Sequence, residues 1–224
     1  MRQQTSPAIV LRRTNYGEAD RIVTFLTPIG KLKAIVKGVR RSKSKLAGGI
    51  ELFSESTITF LQTQGDLQRI ISTRLETHWD GIVGDLQRMM FGYEAMKMMD
   101  TMIEDEAERD YYELLRDTLA ILGEVEVSLS GIKTWFYLRL LKLQGREPNL
   151  HTDQGGAKLI DDELYGFSAE EMCFYSSPTG TFRSEHIKLL RLLASHKSQV
   201  LHQVKDLSAT AKPLEILLEQ IAKL

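Results

Sequence analysis

Residues 30–46 (GKLKAIVKGVRRSKSKL) concentrate positive charge, because they contain seven lysines or arginines and no acidic residue. The formal net charge of the whole chain is only -1, so this excess is local. Cationic side chains at this density can neutralise phosphates, and a strand followed by a flexible basic loop suits gripping a nucleic-acid backbone. The alternative is a solvated loop that binds nothing, as most charge runs are. The seven residues are Lys31, Lys33, Lys37, Arg40, Arg41, Lys43 and Lys45.

Alternating apolar and polar residues predict five short β-strands in the first eighty residues, and turn residues such as Gly17, Gly30 and Gly65 separate them. The predicted strands are 8–12, 21–27, 31–38, 55–61 and 68–76. Five antiparallel strands with a long connection between the third and the fourth are typical of a small barrel. The OB-fold is the nucleic-acid-binding example of such a barrel.

The charge distribution predicts two domains that divide near residue 80. Residues 1–80 carry 13 Lys or Arg against 7 Asp or Glu, and the remaining residues carry 16 against 23. We therefore expect an OB-fold nucleic-acid-binding domain at 1–80 and a mainly α-helical domain at 81–224 that packs or contacts proteins. The overall fold class is α+β, and residues 145–182 form an irregular stretch with a hairpin.

Apolar residues at helical spacing predict several helices after residue 78. In the first of these, one side is rich in methionine and is interpreted as core rather than as a peptide-binding surface. The residues of this side are Ile82, Leu86, Met89, Met90, Tyr93, Met96 and Met99. Ser184 is the predicted N-cap of a later helix, and a final helix is expected to begin with Pro213. The predicted helices are 78–106, 111–122, 127–143, 184–195 and 213–224.

Three segments resemble the amino-terminal domain of the RecO family of bacterial recombination mediators: AIVLRRTNYGEADRIVTFLT, GKLKAIVKGVRRSKSKL and FSESTITF. The family pattern contains an apolar strand, a Y-x-E-x-D-x-I turn and strand, a T-x-x-G-K turn and a basic loop. Its order and spacing over some forty residues carry the resemblance. The matching residues here are Tyr16, Glu18, Asp20, Ile22, Thr27, Gly30, Lys31, Lys37, Gly38, Arg40 and Ser44.

The resemblance implies a binding protein that needs no cofactor and performs no catalysis. Such a protein binds single-stranded and double-stranded DNA, anneals complementary strands and assists recombinase loading onto DNA coated by single-strand-binding protein. The implied partners are RecR, the C-terminal tail of single-strand-binding protein, and also RecF and the recombinase RecA. A continuous DNA path requires the basic loop to share a face with Arg12, Arg13 and Arg21, and Tyr16 and Phe53 are candidates for stacking on bases.

Two competing functions use the same basic barrel: a metal-dependent nuclease and an RNA-binding OB protein. The sequence contains no G-x-x-x-x-G-K-[ST], G-x-S-x-G or H-E-x-x-H motif, and its five histidines are scattered. The acidic run 161–163 is interpreted as a solvated loop rather than a magnesium site. We therefore predict no catalytic residues.

Many RecO-family members carry two C-x-x-C pairs that bind zinc, and this sequence departs from that pattern. Asp153 and Gly156 stand where the first pair is expected, and Cys173 is the only cysteine. Since a structural zinc site needs four ligands, His151, Asp153 and Cys173 are insufficient, and a metal-free member is predicted. A remnant hairpin at 164–182 would be held by aromatic packing and closed by a turn at 177–180. The packing residues are Tyr165, Phe167, Phe174, Tyr175 and Phe182.

The apolar runs of the sequence are too short for a membrane span, and the apolar core of residues 1–13 is too short for a signal peptide. The single cysteine excludes an internal disulfide and suits a reducing compartment. We therefore expect a cytoplasmic protein, associated with the nucleoid.

Overall fold

The computed structural model describes residues 2–103, 109–204 and 208–221. The chain forms two compact units, Met1–Glu124 and Val125–Leu224. The last strand of the first unit ends at His78, close to the predicted boundary near residue 80. Two helices that follow this strand also belong to the first unit. No helix among the described residues is both long enough and apolar enough to span a bilayer.

A closed five-stranded barrel dominates the first unit, which confirms the predicted α+β class with an amino-terminal barrel. The strands pair in the order β1-β2-β3-β5-β4, and β4 closes the barrel on β1. The β3–β5 pair is parallel, whereas all five strands were expected to be antiparallel. The strands are β1 (Gln3–Tyr16), β2 (Asp20–Thr27), β3 (Gly30–Val36), β4 (Ser54–Leu61) and β5 (Gln68–His78).

Strand β1 is 14 residues long, much longer than the predicted 8–12. Its first half pairs with β4 and its second half with β2, and the register shifts between Val10 and Arg12. The polar ends of β1 are fixed by backbone hydrogen bonds that a search for apolar alternation does not detect. The barrel interior is filled by small and large apolar side chains, among them Val10, Phe25, Ala34 and Ile58.

Two helices follow the barrel: α1 (Leu86–Met102) and α2 (Arg109–Leu122). Helix α1 begins at Leu86 rather than at 78, because β5 continues to His78 and a short 3-10 turn intervenes. The Asp85 carboxylate caps α1 by accepting from the N–H groups of Gln87 (2.8 Å) and Arg88 (3.0 Å). The predicted residues 104–106 of this helix lie outside the described residues.

The buried face of α1 agrees with the predicted one only in part. Met96 and Met99 are buried as predicted, whereas Leu86, Met90 and Tyr93 of the same predicted side are exposed. Phe91, which was not assigned to that side, is buried. Counting apolar residues could not distinguish the faces, because this helix carries apolar side chains on both. The buried face packs on the barrel, mainly on β1.

The described residues of the second unit form three α-helices, a 3-10 helix (Ser198–His202) and a small sheet. The predicted helix 127–143 is confirmed as α3 (Leu129–Leu143), and the hairpin is confirmed as the antiparallel pair β7–β8. An additional strand, β6, pairs with β8 and was not predicted. The remaining elements are β6 (Asn149–Asp153), β7 (Tyr165–Ser168), β8 (Cys173–Ser176), α4 (Ser184–Ser195) and α5 (Ser208–Ile221).

Aromatic packing holds the hairpin as predicted, with one exception. The ring of Phe174 lies 5.1 Å from that of Phe167 and 5.3 Å from that of Phe182, measured between centroids. Tyr175 is exposed, because the alternation of β8 turns it away from this cluster. The turn at 177–180 does not close the β7–β8 pair but brings Phe182 back to pair with Tyr165.

The predicted helix 184–195 is confirmed as α4, whereas the predicted start of the final helix is wrong. The N-cap of α4 is Arg183 rather than Ser184, and the Nδ1 atom of His186 accepts from the Arg183 N–H at 3.0 Å. Helix α5 begins at Ser208, so Pro213 lies inside it rather than at its first position. The preceding small and polar residues carry no apolar periodicity that could have signalled this first turn. Residues 222–224 of the predicted helix lie outside the described residues.

Candidate nucleic-acid interface

Residues 37–46 are here called the basic loop. They form successive turns in the connection from β3 to β4. Gly38 adopts φ +64°, which favours glycine, and the Arg41 N–H donates to the Gly38 carbonyl at 3.1 Å. Val39 is buried in the barrel core, and the Leu46 carbonyl accepts from the Thr73 hydroxyl of β5 at 3.2 Å. The loop is therefore anchored near both ends while its cationic side chains project outward.

The base of the basic loop is attached to the turn between β1 and β2. The Gly38 N–H donates to the Asp20 carboxylate at 2.7 Å, and the Arg40 N–H donates to the Ala19 carbonyl at 2.9 Å. The Arg40 guanidinium Nη1 also donates to the Gly17 carbonyl at 3.3 Å. These bonds give Asp20, Gly38 and Arg40 a common structural role, and they join the two loops into one surface.

The cations of the basic loop are exposed and not neutralised by carboxylates. Within the described part of the chain, none of the five forms an ion pair. Their charges are therefore available to phosphate without the loss of an ion pair, although the Arg40 guanidinium also donates to the Gly17 carbonyl. These residues are Lys37, Arg40, Arg41, Lys43 and Lys45.

Arg12, Lys31 and Lys33 lie away from the β1–β2 turn that holds the basic loop. Arg12 pairs with Thr24, which pairs in turn with Lys33, so these residues form one row across β1, β2 and β3. The Arg12 Nε atom lies 3.0 Å from the Asp100 carboxylate of α1, and the Lys31 Nζ atom donates to the Asp100 carbonyl at 2.9 Å. Arg12 and Lys31 therefore fasten the carboxyl-terminal end of α1 to the barrel, where cations are favoured by the helix dipole.

Arg13 and Arg21 have separate partners. The Arg13 Nη1 atom lies 2.7 Å from the Glu51 carboxylate, and Arg21 donates from Nε to the Asn15 side-chain carbonyl at 3.2 Å. Arg12 and Arg13 point to opposite faces of β1, because side chains alternate along a strand. The ten predicted DNA-binding residues therefore have different environments. Five belong to the basic loop, and Lys33 is exposed on β3. The other four have protein partners: Arg12, Arg13, Arg21 and Lys31.

The two aromatic candidates have different environments. Phe53 is buried at 2% exposure, and its ring centroid lies 4.9 Å from that of Tyr93 of α1. Tyr16 is 54% exposed at the end of β1, directly before the turn that holds the basic loop. Phe53 is thus a core residue, and Tyr16 keeps its ring accessible beside the loop.

The second unit contains the residues considered for zinc. Burial raises the pKa of the Cys173 thiol, and the nearby carboxylates of Glu171 and Asp153 raise it further. The Asp153 carboxylate accepts from the Ala157 N–H at 2.8 Å, and His151 is exposed. Among the described residues, no three His, Cys, Asp or Glu side chains are grouped to hold a metal. A zinc-free protein remains a prediction.

The strand order and closure of the barrel define the class of this amino-terminal domain as an OB-fold, a fold that binds oligonucleotides and oligosaccharides. The family model described as "Recombination protein O N terminal" matches residues 1–78, which span the whole barrel. The amino-terminal barrel domain is therefore similar to the amino-terminal domain of the RecO family.

Curated relatives named DNA repair protein RecO extend this similarity beyond the barrel. The protein from Roseiflexus sp. (strain RS-1) is 32% identical over 165 residues, which are 72% of this chain and 56% of that protein. The Desulfatibacillum aliphaticivorans protein is 31% identical over 150 residues, covering 65% and 58%. The Streptomyces griseus protein is 35% identical over 150 residues, covering 63% and 60%. The matched part is therefore little more than half the length of these relatives.

Proposed function

We propose that this protein is a DNA repair and recombination mediator that binds single-stranded DNA through the basic loop. The observation that carries the proposal is the group of exposed cations without ion pairs, fixed at the base to the β1–β2 turn of an OB-fold barrel. Proteins that bind single strands without sequence preference combine a basic surface with a stacking platform. The similarity to proteins named DNA repair protein RecO supports the same function.

The proposed activity is annealing of complementary strands, and it requires no catalytic residue. Two strands repel each other through their phosphates, and a basic surface reduces this repulsion while base pairing supplies the specificity. Duplex DNA would bind the same surface through its backbone. In this proposal the domain at 1–80 contacts DNA, whereas the helical domain at 81–224 contacts proteins.

The proposed partners follow from the family. They are RecR, the C-terminal tail of single-strand-binding protein, RecF and the recombinase RecA, which the protein would help to load onto coated DNA. We place this activity in the cytoplasm, at the nucleoid. Among the described residues, no three His, Cys, Asp or Glu side chains are grouped to hold a metal for a nuclease. An RNA-binding protein would use the same basic loop, so the comparison of RNA with DNA affinity distinguishes it.

Salt dependence of DNA binding tests the proposal. Each phosphate neutralised on a single strand contributes about 0.7 to the slope of log affinity against log salt. A triple variant in which Arg40, Arg41 and Lys43 are each replaced by alanine should therefore have a salt slope that is smaller in magnitude by about 2. Its binding should be weakened equally across sequences. The measurement is fluorescence anisotropy of labelled oligonucleotides between low and moderate salt. Annealing of complementary strands should slow in parallel.

Two matched variants control for net charge. Replacing Arg146, Lys158 and Lys197, which are exposed in the second unit, removes the same charge and should leave the slope unchanged. Replacing Arg12, Arg13 and Lys31 removes cations that already have protein partners. This variant should lower the slope by less than about 1 and reduce thermal stability, because it breaks contacts to α1 and Glu51.

An unchanged slope in the loop variant would contradict the proposal, and the DNA path would then lie elsewhere, such as along Arg69 and Arg74 of β5. Magnesium-dependent cleavage by the purified protein would favour the nuclease. Tighter binding to RNA than to DNA of equal length would favour the RNA-binding protein.

A further inference from the structure

Tyr16 differs from every other aromatic residue in the barrel domain. Residues 2–80 contain five aromatic side chains, and four of them have exposures of 0–9%: Phe25, Phe53, Phe60 and Trp79. Tyr16 is 54% exposed. The core therefore accounts for the other four rings but gives no reason for an aromatic residue at position 16.

The surroundings of Tyr16 connect it to the basic loop. Tyr16 pairs across the hairpin with Asp20, whose carboxylate accepts from the Gly38 N–H at 2.7 Å. The next residue, Gly17, accepts from the Arg40 guanidinium at 3.3 Å. Tyr16 is therefore the neighbour in sequence of the residue that binds the Arg40 guanidinium, and both residues lie at the turn that holds the basic loop.

Among the described residues, the Tyr16 hydroxyl forms no hydrogen bond and the ring forms no aromatic contact, and about half of the residue is open to solvent at 54% exposure. A tyrosine ring can stack on any base, whereas a base within a duplex already has both faces covered. An aromatic ring beside a phosphate-binding loop thus distinguishes single strands from duplexes without reading sequence.

We propose that Tyr16 stacks on a base of the bound single strand and gives the protein its preference for single-stranded over duplex DNA. This inference rests on the proposed function, in which the basic loop holds the backbone. The loop supplies attraction common to both forms of DNA, and Tyr16 supplies the additional contact that only an unpaired base can accept.

Substitutions of Tyr16 in the full chain test this role. Alanine should weaken single-strand binding by about 5- to 100-fold, since one stacked base contributes affinity in this range. Duplex affinity and the salt slope should change less than about twofold, because the phosphate contacts remain. Phenylalanine keeps the ring and should bind like the parent. Leucine keeps apolar bulk without the aromatic face and should behave like alanine.

An abasic oligonucleotide of equal length isolates the base contact. The parent protein should bind it more weakly than an ordinary single strand, and Tyr16→Ala should bind the two with nearly equal affinity. The stacking role would be overturned if Tyr16→Ala lost as much affinity for duplexes as for single strands. It would also be overturned if Tyr16→Ala still bound ordinary strands more tightly than abasic ones, to the same degree as the parent. Both results would leave backbone binding by the loop intact. Failure of the parent itself to bind DNA in a salt-dependent way would instead overturn the proposed function, and the stacking role with it.

Discussion

Replacing Arg88 with methionine should destabilise the first unit strongly. Arg88 lies in α1 and is only 5% exposed. Its Nη1 atom donates to the Leu122 carbonyl at 3.0 Å and to the Glu124 carbonyl at 3.1 Å. These acceptors lie at and just beyond the last turn of α2, where carbonyls have no partner within the helix. Arg88 therefore joins the start of one helix to the end of the next.

The expected loss follows from these two bonds. Hydrogen bonds to a charged group contribute about 1.5–3 kcal/mol each, and a buried carbonyl left without a donor adds its own desolvation cost. Methionine preserves the apolar stem of the side chain, so most of the packing is kept. We expect the free energy of unfolding to fall by about 3–5 kcal/mol. For a chain of this size the thermal midpoint should fall by about 6–20 °C.

Urea and thermal unfolding, followed by circular dichroism, measure this loss. Arg109→Ala is the matched control, because Arg109 is an exposed arginine of α2 that pairs with Glu113 one turn later at 2.8 Å. An exposed pair of this kind contributes about 0.5 kcal/mol or less. A loss below about 1 kcal/mol in Arg88→Met would refute the reasoning, since two charge-assisted bonds could not then be supporting the helix pair.

Two further predictions concern pH. Burial raises the pKa of Tyr112, and its hydrogen bond to the Glu55 carboxylate raises it further, so the unfolded chain ionises first and stability should fall as pH rises above about 10. Tyr112→Phe should be less stable at neutral pH and lack this alkaline decline in urea titrations; a parallel decline would contradict the assignment. Burial lowers the pKa of His186, although the Glu185 carboxylate opposes this shift and Arg183 reinforces it. The contribution of neutral His186 to the free energy of unfolding should therefore be fully present above about pH 6.5. It should decrease as the pH drops below this value, because the histidine of the unfolded chain takes up a proton first. His186→Asn should flatten that decline between about pH 6.5 and 5, and identical slopes in both proteins would exclude His186 as its cause.

The sequence by itself determined the strands whose side chains alternate regularly, and hence the barrel. Strand β4 has strictly alternating burial, and the same alternation is visible in its residues ESTITFL. Helix α3 was equally clear, because a long apolar segment is followed by Gly145 and Pro148. Local composition also located the basic loop, since a run of cations without acids is a property of neighbouring residues. These features depend on short stretches of chain, which the sequence shows directly.

Only the tertiary structure decided which cations have protein partners and which remain available to contact phosphate. Arg12 and Asp100 are separated by 88 positions in sequence but lie 3.0 Å apart, and Arg13 and Glu51 are separated by 38 positions but lie 2.7 Å apart. No local pattern encodes such pairs, because they arise when α1 packs on the barrel and the strands close on one another. The same packing buried Phe53 and left Tyr16 exposed, although both are aromatic residues beside turns. Charge and residue type are properties of the sequence, whereas their neutralisation and burial depend on contacts between distant segments.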